Sequence, residues 1–294
     1  MISSPQTRLV FGLAVPETVV TRDAGLGTLL RWLGVKIGVE MVRFQVPSYD
    51  ALARQMRDGT INIAWLPPIV FVRLERDGIV APLVTNQRSG GNGYQSVLLV
   101  RQSSRIHTLD GLRGASAAWV DPLSAAGYVL PRVHLAALGM DPRGLFSDER
   151  FLGSHAAVVR AVIDGSADVA ATFAGLDPSG AVARGGWSEL PDTEQKLRVL
   201  ATFGVIPADL IAVRADAPHE LRVGLSAALV SACADEAMGP IARRVFGVES
   251  FGLDGFGSYD GLRRAIDAAA TSGLLDLVSD SQARLPTRPP GPPA

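Results

Sequence analysis

The pattern of hydrophobic and polar positions along this chain contains one duplicated unit. Residues 49–64 (YDALARQMRDGTINIA) and residues 155–170 (HAAVVRAVIDGSADVA) each begin as an amphipathic helix, pass through Asp-Gly and end in a short apolar run. Gly is favoured at a helix end because it adopts a left-handed conformation without steric cost. The duplication predicts two similar α/β lobes that face each other across a cleft, although helix–glycine–strand units also occur in other α/β proteins.

Elsewhere along the chain, short apolar runs alternate with helical patterns, which predicts mostly parallel sheets. Residues 175–186 are predicted to form a loop because they are rich in Gly and Pro. Strands are predicted at residues 9–15, 42–46, 61–65, 97–101, 117–120, 150–152, 169–172, 197–202 and 210–213. Helices besides the two duplicated ones are predicted at 26–33 (ending at Gly34), 69–76, 221–238, 259 to about 277, and in a long stretch that ends at Leu138.

The 294 residues suffice for two domains. The pattern after residue 214 is expected to return to the first lobe, so that the chain crosses between lobes twice and forms a hinge rather than a loose linker. The last residues are rich in Pro, which predicts a disordered end, with a polyproline docking peptide as the alternative. The predicted division is residues 1–99 with 205–282 for lobe 1, 100–204 for lobe 2, and 283–294 for the tail.

Composition and charge exclude several classes of function. The net charge of −1 leaves no basic footprint for nucleic acid or an anionic membrane. The single cysteine, Cys233, lies in a helical pattern and is expected to be a buried structural thiol. The four histidines have no metal-ligand spacing, and the Gly-rich run at 89–93 is not followed by Lys-Ser or Lys-Thr. No metal, cofactor or catalytic residue is therefore expected.

One turn between a predicted strand and a predicted helix carries candidate binding chemistry. Residues 121–128 (DPLSAAGY) place small side chains at a helix start, where unpaired N–H groups and the helix dipole favour an anion. Ser124 offers a hydroxyl to such a ligand, or alternatively serves as an ordinary N-cap. Pro131 is expected to kink this helix because its nitrogen cannot donate to the carbonyl of Gly127.

Several short motifs, spread over roughly residues 8–275, carry a family resemblance through their order and spacing. They are Phe11-Gly12, Tyr49, Ala64-Trp65-Leu66-Pro67-Pro68, Gly93-Tyr94-Gln95-Ser96-Val97, Asp121-Pro122 with Gly127-Tyr128 and Pro131, Gly153-Ser154-His155, Ile206-Pro207-Ala208-Asp209, and Val213-Arg214. With these motifs the chain resembles the phosphate/phosphite/phosphonate-binding family, the substrate-binding components of ABC importers.

The resemblance implies an α/β, two-lobed type 2 periplasmic-binding-protein fold with a cleft and two crossover strands. Trp65 ends a predicted strand and is expected to form a wall of the cleft, whereas Trp119 is expected in the core. The ligand positions implied by the family are Tyr49, Tyr94, Ser124, His155 and Asp209, with the backbone around Ala125, Ala126 and Gly127.

The anion-binding loop departs from the family pattern. Phosphonate binders of this family usually have Ser-Thr-Ser there, and this chain has Ser124-Ala125-Ala126. Each lost hydrogen bond to a charged group is worth ~1.5–3 kcal/mol, so two losses weaken binding roughly a hundredfold or more. The position after His155, usually acidic, is Ala156. The pocket is therefore expected to hold a larger or less charged ligand than the family norm.

The expected function is capture of a small anion for the membrane subunits of an ABC importer, by a monomer that does not insert into the membrane. Two alternatives stay open: an enzyme on the same fold, as in menaquinone or thiamine-precursor synthesis, or a ligand-sensing module. The family implies a periplasmic or cell-surface location. Residues 1–8 lack the charged and apolar regions of a signal peptide, so a cytosolic location also stays open.

Overall fold

Two six-stranded mixed sheets organise the protein. The computed structural model describes residues 8–14, 23–87, 93–176, 182–188, 190 and 192–271. The strands are β1 (Arg8–Ala14), β2 (Glu40–Val46), β3 (Ile63–Leu66), β4 (Val80–Gln87), β5 (Gly93–Arg101), β6 (Ser116–Trp119), β7 (Asp148–Phe151), β8 (Val169–Leu176), β9 (Val182–Gly185), β10 (Leu197–Pro207), β11 (Leu210–Arg214) and β12 (Ser250–Gly252). The α-helices are α1 (Asp23–Ile37), α2 (Tyr49–Arg57), α3 (Pro68–Arg76), α4 (Leu130–Ala137), α5 (His155–Asp164), α6 (His219–Ala234), α7 (Met238–Phe246) and α8 (Asp260–Thr271).

The strand order shows how the chain moves between the two sheets. The first sheet has the order β12-β4-β11-β3-β1-β2, and the second has the order β10-β5-β8-β6-β7 with β9 paired to β8. The chain enters the second sheet at β5 and returns from β10 to β11 in the first. The first sheet is thus built from both the beginning and the later part of the chain.

The prediction of mostly parallel sheets is wrong. Among the described residues, six of the ten strand pairings are antiparallel. The parallel pairs lie around β1 in one sheet and β6 in the other. The strands next to the crossings (β5, β10 and β11) run against their neighbours. Hydrophobic alternation reports burial, and it carries no information about strand direction.

The duplicated unit forms the same local structure twice. Ser48 precedes α2 and Ser154 precedes α5, and each hydroxyl accepts the N–H of the third residue onward. After the helices, Gly59 and Gly165 have φ of 81° and 85°, the left-handed conformation predicted for them. The strands that follow, β3 and β8, each pair in parallel with the first strand of their unit, β1 and β6.

Two predicted helix ends are wrong for identifiable reasons. Helix α1 continues through Gly34 to Ile37. A Cβ at Gly34 would lie 2.6 Å from the Val39 carbonyl oxygen, so this glycine allows close packing and does not stop the helix. The helix predicted at 221–238 ends at Ala234, and a second helix that was not predicted, α7, begins at Met238. Asp235 adopts an extended conformation between them, and its carboxylate accepts the N–H groups of Ala237 and Met238.

Three strands lie where none was predicted: β4, β9 and β12. Strand β9 and the end of β8 fall within the predicted loop at 175–186, where residues 177–181 lie outside the described part. The predicted helix beyond residue 271 and the Pro-rich tail also lie outside the described residues. Cys233 is buried, as predicted. No helix of the described residues is long and apolar enough to cross a membrane.

The largest hydrophobic cluster extends across both sheets. It combines side chains of the first sheet, such as Leu66, with side chains of the second, such as Leu98 and Trp119. A second cluster covers the other face of the first sheet under α1, α6 and α7. A third lies between α5 and the second sheet. The first cluster is thus shared by residues of both sheets, and the predicted site residues Tyr49 and Tyr94 pack against it.

Candidate ligand-binding site

Two of the predicted site residues occupy equivalent positions in the duplicated unit. Tyr49 is the first residue of α2 and His155 is the first residue of α5. The backbone N–H of Tyr49 donates to Asp121 Oδ2 at 3.4 Å. Asp121 follows β6, so the start of α2 in the first half of the chain contacts the loop that precedes Ser124.

Two carboxylates act electrostatically on the Tyr49 side chain. Burial raises the pKa of Tyr49 well above its usual range, and the charges of Asp209 and Asp121 raise it further. The phenol is therefore neutral and available as an O–H donor. Burial also raises the pKa of Asp121, while the N–H groups of Leu123 and Tyr49 lower it in part. Asp121 was part of a quoted motif but was not predicted to be a site residue.

The helix start that was predicted to bind an anion, called the helix tip below, is a buried turn of π-helix formed by Ala125–Val129. Ser124 is 3% exposed, and its hydroxyl accepts the N–H of Gly127 at 3.0 Å. The capping role considered for Ser124 is therefore present, and a ligand contact from it stays a prediction. The carbonyl of Ala126 accepts the Ser96 hydroxyl at 2.7 Å.

The π-helical turn accommodates Pro131, which has no N–H to donate to the Gly127 carbonyl. The N–H of Leu130 donates to the Ala125 carbonyl, which is the i→i−5 pattern of a π-helix. The carbonyl of Gly127, which Pro131 cannot bond, accepts the N–H of Val120 at 3.2 Å. The helix is thus irregular at the place where a kink was predicted, and single π-turns of this kind are frequent at functional sites.

Replacing Gly127 with Ala is expected to destabilise the protein by about 1–3 kcal/mol, because the added methyl overpacks the turn. A Cβ there would lie 2.6 Å from the Val120 Cβ and 2.8 Å from the Ser124 hydroxyl oxygen. Gly144→Ala is the matched control, since a Cβ at Gly144 meets nothing within 4 Å. Denaturant unfolding of both variants measures the difference, and equal stabilities would contradict the close packing of this turn.

His155 and Tyr94 both pack against the ring of Phe173. The ring centroids of His155 and Phe173 are 4.9 Å apart, and those of Tyr94 and Phe173 are 6.0 Å apart. His155 Nδ1 lies 2.8 Å from the Thr172 hydroxyl, and burial lowers the pKa of the imidazole to about 4. The Arg184 guanidinium is 5.9 Å from the Phe173 ring, which brings a cation to this group.

The two tryptophans considered in the sequence occupy different environments. Trp119 is fully buried, and its Nε1 donates to Glu149 Oε2 at 2.7 Å, as expected for a core residue. Trp65 is partly buried and packs edge-on against Phe246 at 5.3 Å, in the hydrophobic cluster beneath α7. It therefore packs against a different cluster from Tyr49 and Tyr94, which lie on the cluster shared by both sheets.

The structure therefore forms two groups from the predicted residues. The charges of Asp209 and Asp121 both act on Tyr49, and Tyr94 and His155 both pack against Phe173. Asp121, Phe173 and Arg184 were not predicted, and only Asp121 had a signal, its place at the start of the Asp-Pro-Leu-Ser turn. Within the described residues, no three His, Cys, Asp or Glu side chains are placed to hold a metal ion.

Comparison with solved structures shows that the chain has the type 2 periplasmic-binding-protein fold. The chain is similar to XAC2383 from Xanthomonas citri, solved with chloride, at 22% identity and a TM-score of 0.74, covering 93% of this chain and 99% of that one. It is similar to a binding protein component of an ABC phosphonate transporter from Pseudomonas aeruginosa, at 18% identity and a TM-score of 0.76, covering 95% and 97%. A third similar structure is PhnD1 from Prochlorococcus marinus in complex with methylphosphonate, at 17% identity and a TM-score of 0.71, covering 88% and 97%.

A family model assigns the chain more narrowly. The model described as "ABC transporter, phosphonate, periplasmic substrate-binding protein" matches residues 11–258. The chain belongs to this family of substrate-binding proteins, as the motifs in its sequence indicated. The predicted two-lobed α/β fold class is likewise confirmed.

Proposed function

We propose that this protein captures a small acid between two lobes for an ABC importer and releases it unchanged. The observation that carries the proposal is the contact between the Tyr49 N–H and Asp121, where the two halves of the chain meet beside the predicted ligand positions. The proposed lobes are residues 1–99 with 205–282, and 100–204, and differential affinity for the closed arrangement would drive closure. We also propose a monomer that acts in the periplasm, which size-exclusion chromatography and cell fractionation test.

The charges around Tyr49 support a particular kind of ligand. Asp121 and Asp209 both act on the Tyr49 hydroxyl, and the tip that follows Ser124 carries alanines in place of two hydroxyls. A fully ionised, compact oxyanion is disfavoured next to two carboxylates. A singly charged acid, or one that also carries hydrogen-bond donors, satisfies both features. Methylphosphonate, which PhnD1 binds, is the natural first probe.

A binding role also fits the state of His155. An imidazole with a pKa of about 4 is a weak proton acceptor near neutral pH, where general bases work best with a pKa close to the operating pH. The described residues around it include no second titratable group in hydrogen-bond contact with its Nδ1, which meets the Thr172 hydroxyl. This supports a protein that does not transform its ligand.

Titration calorimetry with methylphosphonate, phosphate and sulfate tests the proposal, together with small-angle scattering. We expect saturable binding that is tightest for methylphosphonate, accompanied by a decrease in the radius of gyration. Tyr49→Phe should weaken binding by roughly tenfold, the worth of one hydrogen bond to a charged group.

Ser231→Ala is the control, because its hydroxyl donates to the Ala228 carbonyl within α6 and it is not among the predicted ligand positions. Its removal of a hydroxyl should leave the affinity unchanged. The proposal is overturned if none of these anions or a wider set of small acids binds, or if mass spectrometry finds the bound compound chemically altered.

A further inference from the structure

Two side chains of the first sheet have buried hydrogen-bonding atoms that lack a hydrogen-bond partner among the described residues. Asn86 is 0% exposed, and neither its Nδ2 nor its Oδ1 makes a hydrogen bond within the described residues. The indole Nε1 of Trp65 is also sealed from solvent and unpartnered. Buried polar groups are nearly always bonded, because an unmet donor or acceptor loses its hydration without replacement. These two residues therefore need an explanation that core packing does not supply.

Both residues occupy the same place on their strands. Trp65 is the second-to-last residue of β3, and Asn86 is the second-to-last residue of β4. Strand β11 lies between them and runs antiparallel to both, so β3 and β4 point in the same direction. The carboxyl ends of parallel strands form the edge at which open α/β sheets bind their ligands.

The register puts both side chains on one face of the sheet. Ile211 of β11 is opposite Trp65 on one side and Val84 on the other, so these three residues share a face. Asn86 lies two residues beyond Val84 and returns to that face, because side chains alternate along a strand. Asp209 precedes Leu210, which is paired with Thr85, so the predicted ligand residue Asp209 lies next to Asn86 at the same edge.

Two phenylalanine rings, Phe246 and Phe251, link Trp65 to Asn86. The ring of Phe246 is 5.3 Å from Trp65 and 5.5 Å from Phe251. Phe251 is in turn the strand partner of Asn86. The two unpartnered groups thus border a single apolar surface, which penalises a charged ligand group more than a neutral one.

We propose that Asn86 and Trp65 form a polar subsite that binds an uncharged part of the ligand, a hydroxyl or amide group. The indole N–H and the amide NH₂ donate to an acceptor atom, and Asn86 Oδ1 accepts from a donor on the same group. A group that is both donor and acceptor satisfies all three atoms. These atoms are sealed in the present arrangement, so the proposal requires that they become accessible when the ligand enters. This inference rests on the proposed function, since it assigns the ligand a second, neutral end.

Thermal unfolding without ligand gives the first test. Asn86→Leu replaces the amide with an apolar side chain of similar size, and we expect the melting temperature to rise by roughly 2–4 °C. Thr85→Val on the neighbouring position is the matched control, because the Thr85 hydroxyl donates to the Asp254 carbonyl at 2.8 Å. This control should lower the melting temperature. A decrease for Asn86→Leu would show that the amide bonds within the protein, and would overturn the proposal.

Titration with ethylphosphonate and 2-hydroxyethylphosphonate gives the second test. The wild type and Thr85→Val should bind the hydroxylated compound about tenfold more tightly, the worth of one or two hydrogen bonds. Asn86→Leu should bind both compounds equally, with its affinity for ethylphosphonate unchanged, and Trp65→Phe should reduce the preference. An equal preference in wild type and Asn86→Leu, or none in the wild type, would overturn the subsite while leaving the proposed function intact.

If the wild type binds neither phosphonate, the choice of phosphonates as ligands is wrong and the subsite is decided separately. Native mass spectrometry of protein purified from its own host is then the readout. A small molecule retained by the wild type and by Thr85→Val, and lost from Asn86→Leu, supports the subsite. Retention by Asn86→Leu, or by none of the three proteins, overturns it.

Discussion

Between pH 6.5 and about 4, the free energy of unfolding should fall by roughly 3 kcal/mol through His155 alone. Burial lowers the pKa of this imidazole from 6.5 to about 4 in the folded protein. Within this range the unfolded chain binds a proton on His155 that the folded chain does not bind. The stabilisation is therefore complete above the unfolded pKa and is lost as the pH falls through the folded one. Each unit of pKa difference contributes about 1.4 kcal/mol.

Denaturant unfolding across this pH range, with wild type and His155→Gln, measures the effect. Glutamine retains a polar side chain opposite the Thr172 hydroxyl but takes up no proton, so the variant should lack this part of the pH dependence. His219→Gln is the matched control because His219 is exposed. Parallel pH profiles for wild type and His155→Gln would contradict the buried, neutral imidazole. Methylphosphonate binding by the wild type should meanwhile stay constant through neutral pH as far as His155 is concerned.

Trp119→Ala should cost about 3–5 kcal/mol of stability, the range for removal of a buried aromatic side chain. Trp119 is fully buried, and its ring packs edge-on against Tyr128 at 5.6 Å and Phe146 at 5.3 Å. Its Nε1 also donates to Glu149, which pairs with the buried Arg132. Truncation therefore leaves a cavity and weakens a partly buried ion pair, out of a total stability of ~5–15 kcal/mol.

Thermal and denaturant unfolding of three variants separate the contributions to this effect. Trp119→Phe retains most of the ring and loses the hydrogen bond, so about 1–2 kcal/mol is expected. Trp32→Ala is the matched control, because Trp32 is only partly buried at the edge of a different cluster. A loss at Trp119→Ala no greater than that at Trp32→Ala would mean that Trp119 is not a core residue.

Some features of the candidate ligand site could be predicted from the sequence, and others could not. The positions of Tyr49 and His155 at two helix starts could be predicted, because Ser48 and Ser154 cap both helices through local contacts. The neighbours of these residues could not be predicted. Asp121 meets Tyr49 over a separation of 72 residues, and Phe173 joins His155 to Tyr94 through contacts between distant strands.

The helix tip, residues Ala125–Val129, likewise combines features that the sequence predicted with features that it did not. The sequence predicted a helix start rich in small residues and a kink at Pro131, and the structure has an irregular π-helical turn there, while anion binding by its N–H groups stays a prediction. The π-turn itself depends on Val120 and Ser96, which supply the hydrogen bonds that the turn cannot make internally. Val120 lies just before this segment in the chain, whereas Ser96 comes from the distant strand β5 and leaves no trace in the local pattern.

The amino-acid sequence alone determined the elements of the duplicated unit, the glycines that end its helices, and the family, because caps, turns and periodic burial are properties of neighbouring residues. Only the tertiary structure decided strand direction and which of the predicted ligand residues share a neighbourhood. It also decided that the Asn86 amide and the Trp65 indole nitrogen are buried without a hydrogen-bond partner among the described residues. These features depend on contacts between residues far apart in the chain. Their energies arise from packing and desolvation that exist only once both sheets are assembled.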